Sequence, residues 1–262
     1  MNLKLLELLP SELMFVLLPA LALLALALLT GIFRFFSKQF GFDDFDAGIL
    51  DTATQNAMSG AYVVLGFVLV LVMATSNEID GNVAKEASQI ERLDRLLVLE
   101  GCPAAQVARQ SLQVYAKSIV SDDWRKLSQG ARHSQTRNQS DALFQTIKAI
   151  EPSTSLQVAL LIDIIKTNEE LNQYRNIRML GAQSSLPGLF WQLSYLTMLG
   201  VIAIAALRLL KPSGIGIAAL VIQLIMISLL FATVMILDMP YIGQVKSSPE
   251  AFNLAIKLMQ SR

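Results

Sequence analysis

The sequence has little charge, a single cysteine and a single histidine. Only 16% of its 262 residues are charged, against roughly 25% in ordinary soluble domains, and the formal net charge is zero. We therefore expect no nucleic-acid partner, because such proteins carry a basic surface. The lone Cys102 excludes an internal disulfide, and no Cys/His grouping has the spacing of a metal site.

Catalytic signatures are also missing from the sequence. It contains no nucleophile–base set, no glycine loop of the kind that cradles phosphates, and no paired carboxylates accompanied by other catalytic groups. We therefore expect a protein that is not an enzyme, with neither a metal nor a cofactor.

Apolar residues, in contrast, are abundant and grouped. They make up 53% of the chain, the mean hydropathy is +0.50, and they concentrate in four blocks without central charges. Each block has about the 20 residues that a transmembrane helix needs. The blocks lie at about 13–36, 58–76, 187–210 and 215–237. This pattern predicts a multi-pass protein whose first partner is the lipid bilayer.

The polar segment between the second and third blocks has a helical pattern. Its apolar residues recur at three- and four-residue steps, and no strand signal rises above background. The sequence thus predicts an all-α membrane protein with four transmembrane helices and a helical extramembrane domain inserted between helices 2 and 3. The predicted division is an N-terminal membrane pair (1–76), the helical domain (77–186), a C-terminal membrane pair (187–238) and an amphipathic tail (239–262). We expect the helices beside the membrane to continue the second and third crossings.

Four crossings place both termini and the polar segment on one side of the membrane. The total number of Lys and Arg residues near the crossings is higher on that side, which favours a cytoplasmic location. The number of Lys and Arg residues per unit length of these longer stretches does not clearly favour that location. A lone thiol is compatible with a reducing compartment.

Asp238 ends the fourth block in the stretch "ILDMPYIGQVKSSPEAF". A carboxylate at a helix C-terminus faces the negative end of the helix dipole, and near hydrocarbon it needs a partner. Arg178 precedes the third crossing on the same side, so we predict an Asp238–Arg178 pair, with Arg175 as the alternative partner. Pro240 and Gly243 would then turn the chain into the tail. The competing interpretation is an ion-binding site.

The second crossing carries one stripe suited to line a pore. Gly60, Val63, Phe67, Val70 and Ala74 follow one another at helical spacing. Around an oligomer axis, Phe67 and its neighbours would form an apolar constriction that gates by dewetting. The alternative is ordinary helix packing, in which Gly60 and Gly66 permit close approach.

The loop between the first two crossings is acidic. The stretch "GFDDFDAGILD" contains Asp43, Asp44, Asp46 and Asp51. Repeated around an oligomer, these residues would form a negative vestibule that concentrates cations. The alternative is a solvated acidic loop without a role in selectivity.

Several ordered motifs resemble the bestrophin-like domain family of bacterial membrane proteins. "KEASQIERLDRLL" is similar to that family's Glu-Ala pair before a Leu- and Arg-rich helix, and "VYAKSIVSDDW" to its Tyr followed by an acidic-Trp pair. "RNIRMLGAQSSLPGLFWQL" resembles the entry of its third crossing, and "LDMPYIGQVKSSPEAF" its closing Asp-x-Pro-x-x-Gly signature. The resemblance runs from about Gly48 onward.

The resemblance implies a plan and a function through a distant likeness to bestrophins. Bestrophins are pentameric ion channels with four membrane helices, a cytosolic helical domain and a pore lined by the second membrane helix. By this analogy we expect a homo-oligomer, pentameric as in bestrophins, that conducts inorganic ions across the bacterial inner membrane. The termini and residues 77–186 would be cytoplasmic, and the acidic loop would favour cations. The alternative is a non-conducting scaffold whose helical domain binds a cytoplasmic partner.

Overall fold

A computed structural model describes residues 11–40, 47–127, 136–181, 186–211, 214–238, 241 and 247–262. The described residues form helices and contain no strand, as predicted. The helices are α1 (Ser11–Phe40), α2 (Ala47–Glu100), α3 (Pro103–Ser118), α4 (Trp124–Leu127), α5 (Thr136–Lys148), α6 (Ser155–Gly181), α7 (Gly188–Arg208), α8 (Gly214–Leu237) and α9 (Glu250–Gln260). A π-helical turn (Ile119–Asp123) joins α3 to α4.

The chain divides into two compact units. The apolar unit comprises Met1–Thr75 and Ser184–Asp238, and the polar unit comprises Ser76–Gln183 and Met239–Arg262. The boundary falls within α2, which is one continuous helix of 54 residues. The predicted continuation of the second crossing as a long helix is therefore confirmed.

The apolar unit contains the predicted crossings. Within the described residues, four helices are long and apolar enough to span a membrane: α1, α2, α7 and α8. At 1.5 Å per residue, the 21 residues of α7 suffice for a hydrocarbon core of about 30 Å. The interior of this unit is formed by Leu26 of α1, Leu65 of α2, Ala205 of α7 and Leu224 of α8.

The third crossing starts as a separate helix, which corrects the expectation that the helix before it continues through the membrane. α6 ends at Gly181, and α7 begins at Gly188 with Pro187 as its N-cap in an extended conformation. The proline disfavours helical geometry in the residue before it, and it lacks the N–H that a continuous helix requires.

The polar unit has its own core. One face of α2 buries Ile79, Val83, Ile90, Leu93 and Leu97, the positions that the periodicity selects. They pack with buried residues of α3, α5, α6 and α9: Ala108, Leu112, Tyr115, Leu143, Ile147, Ile164, Leu171, Phe252 and Met259. The tail helix α9 therefore contributes to the core of this unit.

Candidate functional site

The proposed pore stripe lies on the exposed face of α2. Val63, Phe67 and Val70 are 72%, 60% and 64% exposed, and Gly60 and Ala74 are exposed as well. The opposite face of the same helix is buried at Ala61, Leu65, Val68 and Val72. The two series are offset by two residues, which is about 200° around a helix. The chain thus covers one side of α2 and leaves the stripe uncovered.

Gly60 and Gly66 of α2 make no close approach to another helix among the residues that the structure describes. A Cβ atom added at Gly60 or at Gly66 would meet no atom within 4 Å. Packing of the stripe against neighbouring helices of the same chain therefore does not account for these glycines. The stripe faces lipid, water or another copy.

Polar side chains accompany the stripe at the start of α2. Thr52, Asn56 and Ser59 are exposed, and Thr52 and Asn56 line a shallow open groove together with Gly48. The exposed surface of α2 therefore changes from polar to apolar along the helix toward Phe67.

Asp51, one of the predicted vestibule residues, is paired with a cation. Its carboxylate accepts hydrogen bonds from the guanidinium of Arg208 at the end of α7. Arg34 donates to the carbonyl of Leu209 at 3.2 Å, which places a second cation at the negative end of the α7 dipole. Asp43, Asp44 and Asp46 lie outside the described residues. The negative charge of Asp51 is thus largely offset by Arg208.

Asp238 binds the start of α7. It is 4% exposed, and its Oδ1 accepts the backbone N–H of Leu186 at 2.8 Å. Its Oδ2 accepts the indole N–H of Trp191 at 3.0 Å. The unpaired N–H groups and positive dipole end of a helix N-terminus favour a carboxylate. Asp238 therefore joins the last turn of α8 to the first turn of α7.

The arginine partners that the sequence suggested for Asp238 stay a prediction, because Arg175 and Arg178 belong to the polar unit. Within that unit the guanidinium of Arg178 is engaged by Glu86 and Asp123. The Nε of Arg175 is buried and has no hydrogen-bond partner in the described part of the chain. Pro240 and Gly243, the predicted turn, lie outside the described residues.

Arg178 is the centre of a buried charge cluster in the polar unit. Its Nε donates to Glu86 at 2.7 Å and its Nη2 to Asp123 at 2.8 Å, and all three side chains are fully buried. The rings of Trp124 and Phe252 lie 5.9 and 5.8 Å from the guanidinium carbon. The π-helical turn ends at Asp123, and Trp124 is its C-cap, so both residues of the cluster lie at the end of this turn.

Burial and neighbouring charges act together on the ionisable groups of the cluster, and Arg175 contributes through its charge. Burial raises the pKa of Glu86 above its ordinary value, and the attraction of Arg178 offsets only part of that effect. Burial by itself would lower the pKa of Arg178, but the Glu86 and Asp123 carboxylates raise it above the ordinary arginine value. Glu86 lies beyond the apolar stretch 58–76, within the polar unit.

The motifs behind the family resemblance converge in this cluster. Glu86 comes from "KEASQIERLDRLL", Tyr115 and Asp123 from "VYAKSIVSDDW", and Arg178 from "RNIRML". The Tyr115 hydroxyl donates to Glu86 at 3.5 Å. Sequence reasoning identified each motif but not the contact among them. The signal was the presence of charged residues inside helices that otherwise have apolar faces.

No metal centre is evident in the described part of the chain, where no group of three or more His, Cys, Asp and Glu residues lies close enough to hold an ion.

Comparison with known proteins identifies one family. The profile of the Bestrophin-like domain matches residues 19–252, which include most of α1 and every element from α2 through the start of α9. No curated protein and no solved structure matches the chain.

Proposed function

The chain belongs to the Bestrophin-like domain family, and from this premise we propose that it is an oligomeric ion channel of the bacterial inner membrane. The pore is lined by the exposed stripe of α2: Gly60, Val63, Phe67, Val70 and Ala74. The observation that supports this most is that all five stripe residues are uncovered in the single chain, although they lie in an apolar span.

An apolar lining is compatible with conduction. A ring of valine and phenylalanine side chains excludes water when narrow and admits it when slightly wider, so small movements gate the pore. The exposed Thr52, Asn56 and Ser59 at the start of α2 supply polar groups where a hydrated ion enters. One helix cannot enclose a channel, so several copies are required. Five is the number expected from the likeness to bestrophins.

The proposed orientation places the termini and residues 77–186 in the cytoplasm, and the proposed ions are cations. Because Arg208 offsets Asp51, the cation preference depends mainly on Asp43, Asp44 and Asp46. Neutralising those three residues together should reduce the Na⁺/Cl⁻ permeability ratio more than Asp51→Asn does.

Ion flux from liposomes containing the purified full chain tests the proposal. Phe67→Ala widens the apolar constriction and should raise the flux of Na⁺, K⁺ or Cl⁻ above that of the unmodified chain. The matched control is Phe35→Ala, because Phe35 on α1 is similarly exposed (67%) but lies off the stripe. It should leave the flux unchanged.

Thiol labelling during the flux measurement locates the water-filled surface. Cys102→Ser gives a cysteine-free background and keeps the N-cap of α3, because the Cys102 sulfur accepts the Ala105 N–H and a serine oxygen caps at least as well. In this background Val63→Cys and Phe67→Cys should react with a charged thiol reagent, whereas Val68→Cys on the buried face should not. The non-conducting scaffold would be favoured instead if a monodisperse oligomer showed no ion flux and its Phe67→Ala variant showed none either.

A further inference from the structure

A cavity of about 890 Å³ with a mixed polar and apolar lining lies between α5 and α6, within the polar unit. This volume is in the range of about 300–1,000 Å³ that is typical of small-molecule sites. The lining residues on which the argument depends are Arg137, Asp141, Phe144, Asn168, Glu169 and Arg175. None of them belongs to the stripe of α2, and only Arg175 acts on the Arg178 cluster, through its charge.

The cavity has a cationic end and an anionic end. Ser140 of α5 donates to Asn172 of α6 at 2.7 Å, and the short connection 149–154 makes the two helices antiparallel. Arg137 precedes Ser140 and Arg175 follows Asn172 by the same number of residues, so both arginines lie at one level. Asp141 and Glu169 lie on the other side of the Ser140–Asn172 contact, away from the two arginines. Phe144 and Asn168 lie on that side as well.

One polar group of the cavity, the Arg175 Nε, is buried and has no hydrogen-bond partner among the residues that the structure describes. Asn168, on the same wall of the cavity, is 2% exposed. The charge of Arg175 attracts the Glu86 carboxylate, but this leaves its Nε without a hydrogen bond in the described part of the chain. Buried donors are normally satisfied, so this Nε indicates a missing acceptor such as a carboxylate.

We propose that this cavity binds a small zwitterion of the amino-acid type. Its carboxylate is held by Arg137 and Arg175, whose forked donors suit a carboxylate. Its ammonium group lies toward Asp141 and Glu169, and the amide of Asn168 binds between the two ends. The two arginines and two carboxylates of the lining balance in charge, which disfavours a polyanion such as a nucleotide.

Binding to the full-length chain in detergent tests this proposal without any measurement of ion flux. Each standard L-amino acid is titrated singly by calorimetry, with inorganic phosphate and the corresponding amino-acid amides as comparison probes. At least one amino acid should bind, and its amide, which lacks the carboxylate, should bind roughly tenfold more weakly or worse. Phosphate should not compete.

Variants assign the binding to the cavity. Arg137→Gln and Arg175→Gln should each reduce the affinity about tenfold or more, and Asp141→Asn should reduce it as well. Arg137 is exposed, so its variant remains informative if Arg175→Gln does not fold. The matched control is Arg95→Gln, an exposed arginine of α2 outside the cavity, which should bind like the unmodified chain.

Three results would overturn the proposal: no amino acid binds, phosphate binds in their place, or Arg137→Gln binds with unchanged affinity. Because binding is read directly, its failure leaves the channel proposal untouched, and absence of ion flux leaves this one untouched.

Discussion

At the scale of single residues, Asp238 shows how a buried carboxylate at a helix C-terminus is stabilised. Its own helix dipole disfavours it, but the N–H of Leu186 and the indole of Trp191 donate to it from the start of α7. Two of its partners are thus N–H dipoles. Such dipoles carry no formal charge, and a search of the sequence for a cationic partner cannot reveal them.

Replacing Asp238 should destabilise the apolar unit. Asp238→Ala leaves the buried Leu186 N–H and the part-buried Trp191 indole without this acceptor, which costs about 1–3 kcal/mol of unfolding free energy. The control Asp51→Ala removes a carboxylate that is 59% exposed and should cost less than about 1 kcal/mol. Thermal unfolding in detergent, followed by circular dichroism, compares the two. Equal losses would contradict the role given to Asp238.

The Glu86–Arg178–Asp123 cluster should make stability depend on pH. The pKa of Glu86 in the folded chain is raised above 4.5, so protonated Glu86 is favoured by folding. Its contribution to stability is therefore complete below pH 4.5 and is lost as the pH rises through the raised value. Glu86→Gln stays neutral and leaves Arg178 paired with Asp123, so its unfolding temperature should fall less over this range. The exposed control Glu78→Gln should follow the unmodified chain.

At the scale of elements, the end of α2 is set by the glycine that follows it, Gly101. Gly101 has φ +66°, a left-handed conformation that glycine adopts readily, and its N–H donates to the Leu97 carbonyl. Cys102 then caps α3 and Pro103 occupies the first turn of that helix. A helix of 54 residues thus ends at a glycine and a proline that the sequence shows directly.

Gly101→Ala should destabilise the polar unit by about 1 kcal/mol, because a side chain at left-handed φ is strained. The matched control is Gly81→Ala. Gly81 lies inside α2 with open space around its Cβ position, so the added methyl should stabilise the helix by about 0.5–1 kcal/mol. Unfolding temperatures that move in the same direction for both variants would contradict this account of the helix end.

At the scale of the whole molecule, the tail belongs to the polar unit through charge as well as through its apolar face. The fully buried Asp94 of α2 binds Arg109 of α3 at 2.7 Å and Arg262 at 3.2 Å. Arg109 also donates to the Met259 carbonyl at 2.8 Å, so one arginine connects α2, α3 and α9. The tail therefore contributes to the fold of this unit beyond the amphipathic packing that its sequence predicts.

Arg109→Ala should reduce stability by roughly 2 kcal/mol or more, because it leaves the buried Asp94 with a single partner. Arg262→Ala should cost less than about 1 kcal/mol, because Arg262 is 29% exposed and Arg109 remains in place. Circular dichroism melting curves of the full chain measure both. The reverse order would show that the tail is held mainly by Arg262.

The sequence by itself determined the helical class, the four apolar spans and the buried positions of α2, because hydrophobic length and helical period are properties of neighbouring residues. Only the tertiary structure decided that Arg178 pairs with Glu86 and Asp123, and that Asp238 accepts hydrogen bonds from the start of α7. It also decided which side of α2 stays uncovered. Those outcomes join residues far apart in the chain, such as Glu86 and Arg178. They depend on how helices pack, and no local pattern encodes that packing.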